Sequence, residues 1–201
     1  MGNLERLMKQ LLFFIGLWLS CSLITSCGND YSPKPRGYFK IDLPQKKYQL
    51  YKSDCPFTFE YPVYANIVTD NARNAKPCWK DVVYSGLNGR IHLSYEPITS
   101  RAQFNQLTED AHTFVFKHTV KATAIDESII NMPDKKVYGM YYTIDGNVAS
   151  PIQFFLTDSS KNYLRGALYF NEQPRLDSIQ PVLDFVKKDI DVMIRSFKWA
   201  N

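Results

Sequence analysis

A chain of 201 residues, 45% of them hydrophobic and 14% aromatic, is long enough for one domain to bury its core without a metal or several disulfides. Its formal charge of +4 is mild, with no run of five like charges and no arginine-rich helix, so nucleic acid is excluded as an expected partner.

Arg6 and Lys9 come first, then Leu11 to Leu19 (LLFFIGLWL) without a polar break, then small and polar residues up to Cys27. Positive, apolar, small is the order of an export signal. As a helix, Leu11 to Thr25 would reach roughly 22 Å against a hydrocarbon core of about 30 Å, so removal is expected rather than spanning. The uncleaved alternatives are a membrane anchor or a buried core helix. Ile24-Thr25-Ser26-Cys27 resembles the bacterial lipobox, in which the cysteine is diacylated, becomes the new N-terminus and is acylated again. Cys21 is the rival, but Trp18-Leu19-Ser20 fits the pattern poorly, and cleavage there would leave Leu23 and Ile24 exposed. Gly2 gives no myristoylation signal, because Arg6 stands where Ser or Thr is needed. The expected organisation is therefore a signal peptide over 1–26, a lipidated tether over 27–37 and a globular domain over 38–201. Loss of Glu5, Arg6 and Lys9 lowers the charge from +4 to +3. Pro33 and Pro35 suit a stiff linker better than a polyproline ligand.

Cys55 and Cys78 remain. In an exported chain an even pair is first a disulfide. A zinc site with a histidine is the alternative, and it lacks the short paired spacing such sites use. No metal or other cofactor is expected.

Pro56 to Pro62 (PFTFEYP) and Asp81 to Tyr84 suit short strands, and Arg90 to Tyr95 alternates as a half-buried strand should. Ser100 with Gln103 forms a capping box for a helix over about 101–118 whose apolar face is Phe104, Leu107, Ala111, Phe114, Val115 and His118. Thr123 to Asn131, a turn at Met132-Pro133-Asp134 and Val137 to Ile144 follow. Asp145-Gly146 signals a two-residue hairpin, with Val148 to Thr157 returning and Pro151 marking a bulge or an edge. Asp158-Ser159-Ser160 turns into Tyr163 to Phe170. Asp177 or Ser178 caps a final helix with Pro181 in its first turn, and Ile179, Val182, Leu183, Val186, Ile190, Met193 and Ile194 line one face. The class is α+β, a single domain with an antiparallel β-sheet covered by two main helices. This order, closing on Ser196-Phe197-Lys198-Trp199, resembles the PsbP and Mog1 type of fold, which implies no chemistry of its own.

Catalytic signatures are missing: no G-x-S-x-G elbow, H-E-x-x-H, P-loop, G-x-G-x-x-G or acidic calcium loop occurs. His92 alternates with Ile91 and Leu93, while His112 and His118 lie about 120° out of phase on a helix. The histidines are expected to be surface or satisfied core residues. Asn147, Ser150, Gln153, Asp158 and Arg165 lie in or beside the meander, and Lys117, His118 and Lys121 cluster where the first helix ends. Lys121, Asn147, Gln153, Asp158 and Arg165 are the candidate binding surface, with turn and sheet-surface roles as the architectural alternative. Arg165 could be held by an ion pair to Asp158 or by an aromatic ring.

Seven blocks, PKPRGYFKIDLP (33 to 44), CPFTFEYPVYA (55 to 65), IHLSYEPI (91 to 98), KHTVKATAI (117 to 125), GNVASPIQFFLTDS (146 to 159), LRGALYFN (164 to 171) and DSIQPVLDFVKKDI (177 to 190), together resemble the GldD family of gliding-motility lipoproteins. The resemblance implies a non-catalytic lipoprotein of the cell envelope, needed for surface gliding and linked to type IX secretion. It implies membrane lipid as a partner through acylated Cys27, and other gliding and secretion envelope proteins as contacts; it carries no active-site residues. The single acid in Gly28-Asn29-Asp30 implies an outer-membrane anchor facing the periplasm, since surface-displayed lipoproteins of these bacteria often bear an acidic run there. The alternatives are an envelope hydrolase with a histidine base and a carrier of a small ligand.

Overall fold

The structure, a computed structural model, describes residues 5–11, 41–171 and 176–200. Cys27, the tether over 27–37, most of the signal segment and the proposed domain start at residue 38 lie outside the described residues. So do the side chains of Asp177 and Ser178. Residues 5–11 are helical and exposed and belong to a first unit, Met1–Phe39, and Lys40–Asn201 form the second unit. Among the described residues no helix is long and apolar enough to cross a membrane.

The second unit opens with β1 (Tyr48–Tyr51), β2 (Phe57–Pro62), β3 (Asn66–Thr69), β4 (Lys80–Tyr84) and β5 (Gly89–Pro97). Helix α1 (Arg101–Phe116) follows, then β6 (Ala122–Met132), β7 (Val137–Gly146), β8 (Ile152–Thr157), β9 (Asn162–Phe170), helix α2 (Leu176–Ser196) and β10 (Lys198–Trp199). Among the described residues all strand pairs are antiparallel, in two sheets. One has the order β1-β2-β10 and the other β3-β4-β5-β9-β8-β7-β6. The predicted α+β class and the two main helices stand, but the opening strands split off a small second sheet.

Alternation along the strands divides the large sheet's residues between its two faces. Ile91 and Leu93 of β5, Ile152, Phe154 and Leu156 of β8, and Leu164 and Leu168 of β9 pack with Leu183, Val186, Ile190 and Met193 of α2, and with Phe57, Phe59 and Phe197. The opposite face carries Tyr142 and Ile144 of β7, Phe155 of β8 and Tyr163 of β9 against Ala111 and Val115 of α1. Strand β8 is buried along its whole length because both faces are covered. Gly166 is required where β9 passes β8, since a Cβ there would lie 2.2 Å from the Phe154 ring. Cys55 and Cys78 are joined, with Cα atoms 5.5 Å apart, pinning the loop before β2 to the one before β4.

Two local expectations fail. Asp145-Gly146 makes no two-residue turn: both residues stay in β7, because the register shifts between Ala122 and Ala124 and pairing continues to Gly146. The connection runs over residues 147–151, and β8 begins at Ile152 rather than Val148. Pro151 explains that start. It has no N–H to give a ladder, while its carbonyl still accepts from Ile144 N at 2.9 Å. Strand β8 is central, not an edge. Helix α2 likewise starts at Leu176, ahead of both proposed caps, and Pro181 lies inside it, past the first turn.

Candidate functional site

α1 covers only part of its face of the sheet, leaving a cleft of about 270 Å³ beside it. Trp79 forms one side, His92, Ser94 and Glu96 of β5 with Tyr163 and Arg165 of β9 form the floor, and Leu107, Asp110, Ala111 and Phe114 of α1 form the opposite wall. The floor follows from register. Ser94 pairs with Arg165 and Glu96 with Tyr163 across β5 and β9, so every second residue of both strands faces α1.

The wall follows from the cap. Ser100 Oγ accepts from Gln103 N at 3.1 Å, while Gln103 Oε1 accepts from Thr99 N at 2.7 Å. The Gln arm of the predicted box thus reaches one residue further back than Ser100. In the helix so started, Ala111 and Val115 are buried, whereas Phe114 is 41% exposed. Its expected place in the core is corrected. About 60° separates Phe114 from Ala111 on a helix, with Val115 about 40° to the other side, and Val115 takes the inward position.

Most polar groups of the cleft already have partners. His92 Nδ1 lies 2.7 Å from Asp81 Oδ1, its cross-strand neighbour, and Nε2 lies 3.8 Å from Asp70 Oδ2. Trp79 sits edge-on to the His92 ring and donates its Nε1 proton to Tyr95 O at 3.1 Å. Tyr163 donates to Leu107 O at 3.0 Å, and burial raises its pKa. Glu96 accepts from Lys76 at 2.8 Å, and Asp110 from Gln106 at 2.8 Å.

Arg165 is the exception in kind. Its guanidinium donates to Gln153 Oε1 and lies 4.7 Å from the centre of the Phe114 ring. Gln153 is 2% exposed, so a buried neutral amide orients the cation. No carboxylate of the described residues is within ion-pairing distance of it. Lys117 Nζ is also 5.0 Å from the Phe114 ring centre. Burial, then the nearby Arg165 charge, pushes the His118 pKa below its usual value. His112 is stacked on Phe116, 4.2 Å between ring centres.

Of the five residues proposed as one binding surface, only Gln153 and Arg165 come together. Asp158 binds its own turn: its Oδ1 accepts from the backbone N–H groups of Ser160, Lys161 and Asn162 at 2.7–2.9 Å, and its Oδ2 from Asn162 Nδ2. It makes no ion pair with Arg165; the aromatic contact holds the cation instead. Lys121 is an exposed residue after the turn Lys117–Val120, and Asn147 lies on the β7–β8 connection; neither lines the cleft. Trp79, Glu96, Asp110 and the exposed Phe114 were missed. The one available signal was the choice between Phe114 and Val115 for a single inward place. Among the described residues no cluster of His, Cys, Asp and Glu could hold a metal ion.

A second polar group lies on the other side of the sheet. Asp189 of α2, 0% exposed, accepts from Lys46 Nζ at 2.6 Å, Tyr48 OH at 2.9 Å and Tyr64 OH at 2.8 Å. Lys46 also donates to Phe185 O at 2.7 Å and sits 3.4 Å from the Phe185 ring centre. Burial lowers the Lys46 pKa against the pull of Asp189, and burial with the Asp189 bonds raises those of Tyr48 and Tyr64. Every donor here is satisfied within the cluster, which makes it a clamp between the N-terminal segment and α2.

The family model described as gliding motility lipoprotein GldD matches residues 28–199. No curated protein matches the chain. Among solved structures, the solution structure of cyanobacterial PsbP (CyanoP) from Synechocystis is similar, with a TM-score of 0.43 and 13% identity over 88% of this chain and 98% of that one.

Proposed function

We propose that this chain, which belongs to the gliding motility lipoprotein GldD family, acts in gliding as a non-catalytic binding protein of the envelope. It is linked to type IX secretion and contacts other envelope proteins through the cleft beside α1. Its anchor is acylated Cys27 in the outer membrane, with the domain facing the periplasm; two or more acyl chains give stable anchoring where one is marginal. The observation that carries the binding reading is the pairing of Arg165 with an exposed Phe114. An oriented cation on an open aromatic is the composition of an interface anchor, while most of the cleft's other polar groups are tied into the fold.

Deletion of the gene in a gliding host should abolish spreading and impair type IX secretion. A copy with His92, His112 and His118 all changed to Gln should restore both, with accumulation checked by blot. One observation favours a second reading, a hydrolase: His92 is oriented by Asp81 at 2.7 Å, with Ser94 two residues along the same face. If a single histidine change removes function while the protein accumulates normally, that reading replaces the first. The anchor has its own test. Cys27→Ala should release the protein from the membrane fraction or leave its precursor unprocessed, and a mature N-terminus other than Cys27 overturns the assignment.

A further inference from the structure

We infer that the cleft beside α1 receives the free carboxy-terminus of a polypeptide ending in a large apolar residue, with the terminal carboxylate on Arg165 and the last side chain between Phe114, Leu107 and Trp79. This rests on the partner-binding reading above and names the group that is recognised.

Four observations converge on that chemistry. Arg165 has a neutral partner, Gln153, and no acid among the described residues. A guanidinium carries five N–H groups in a planar fork, so one bond to an amide leaves donors to match a carboxylate. Second, the cation is pre-positioned: a buried side chain fixes it from below and an aromatic ring supports it, which lowers the cost of ordering it on binding. Third, the walls beside it are largely apolar, from Leu107, Ala111, Phe114, Trp79 and Tyr163, and the 41% exposure of Phe114 leaves apolar area for a ligand to cover. Fourth, Glu96 and Asp110 stand on the same cleft. Lys76 already pairs with Glu96, whereas among the described residues Asp110 meets only the Gln106 amide, so the cleft opposes a polyanion and Asp110 favours a basic residue further back in the bound chain. At about 270 Å³ the cleft lies just below the usual range of ligand pockets, about 300–1,000 Å³. One or two side chains fit; a folded element does not.

The test uses the full-length lipoprotein in detergent micelles and a dye-labelled peptide Gly-Lys-Gly-Gly-Phe, as the free acid and as the C-terminal amide, followed by fluorescence anisotropy. The free acid should bind saturably, and the amide about tenfold or more weaker, because only the acid carries the charge that meets Arg165. Arg165→Gln should weaken the acid by a similar factor and leave the amide unchanged. Arg165→Lys should fall between, and Phe114→Ala should weaken both peptides. The acid and amide arms use the unaltered protein, so they stand even if an Arg165 variant folds poorly. Equal binding of acid and amide overturns the inference, as does no saturable binding up to about 1 mM, or competition by methyl glucuronoside at the peptide's own strength. Spreading of cells that carry Arg165→Gln or Phe114→Ala separates this result from the broader reading. Non-spreading cells with no peptide binding leave the cleft as a partner site for another chemistry, and only the inference fails. Peptide binding with normal spreading sustains the inference and removes the role in gliding; neither effect removes both.

Discussion

The two faces of the large sheet handle buried charge in opposite ways. Beneath α2, Asp189 gathers one ammonium and two phenols, all supplied by the segment 46–64, and each of these three donors is bonded within the cluster. Beneath α1, Arg165 has only an amide and a ring, and the cleft stays open. A closed cluster fixes chain to chain, whereas an incomplete one has capacity for something outside the domain. Changes in the first should therefore cost stability, and changes in the second should cost binding.

Asp189→Ala gives the largest break. It leaves the part-buried Lys46 ammonium and two tyrosine hydroxyls without their shared acceptor, and removing one partner of a buried pair costs up to about 3–5 kcal/mol. Urea unfolding should report that loss, and a change below about 1 kcal/mol would show that the cluster is solvated and no clamp. Next, replacing both Cys55 and Cys78 by Ser should cost roughly 3–4 kcal/mol, because their link closes a loop with a sequence separation of 23. Both purified thiols should be unreactive before reduction. Free thiols in native protein would count against the bond.

The same contrast marks what was legible in the sequence. Strict alternation in Arg90 to Tyr95 and the apolar face of α2 gave their elements directly, because one period describes one buried surface. The capping signal placed α1 within a residue or two of its ends. What the pattern could not supply was long-range pairing. Asp189 lies on the same stripe as Val186, Ile190 and Met193, and a charge there signals a buried partner, but its partners come from residues 46, 48 and 64, whose proximity depends on the whole fold. Arg165 and Gln153 were singled out as polar residues in strands. Their meeting rests on the β8–β9 register, whose turn at Asp158-Ser159-Ser160 was legible; Asp145-Gly146 misplaced only the preceding β7–β8 turn, which a bulge at 122–124 and Pro151 moved.

A smaller effect separates turn from cleft by pH. Burial works to raise the Asp158 pKa, but the N–H groups of Asn162, Lys161 and Ser160 and the Asn162 amide outweigh it and hold the carboxyl below its usual value. A depressed carboxyl contributes stability that is present above its unfolded pKa, near about 3.9, and is lost as pH falls through the folded one. Wild-type stability should thus drop below about pH 4 more steeply than that of Asp158→Asn. Parallel profiles would show that the turn does not depend on the charge.

The smallest change in stability should come from Phe114→Ala. Phe114 is 41% exposed and lies outside both buried cores, so truncation opens no enclosed cavity and removes area that water already reaches. The expected loss is below about 1 kcal/mol, against roughly 3–5 kcal/mol for burying and then deleting a Phe in a core. Urea curves for Phe114→Ala should nearly overlay those of the wild type with the same slope, while Asp189→Ala shifts its midpoint strongly. A core-sized loss would mean that Phe114 braces α1 against the sheet, and the division between a fixing face and a receiving face would then collapse.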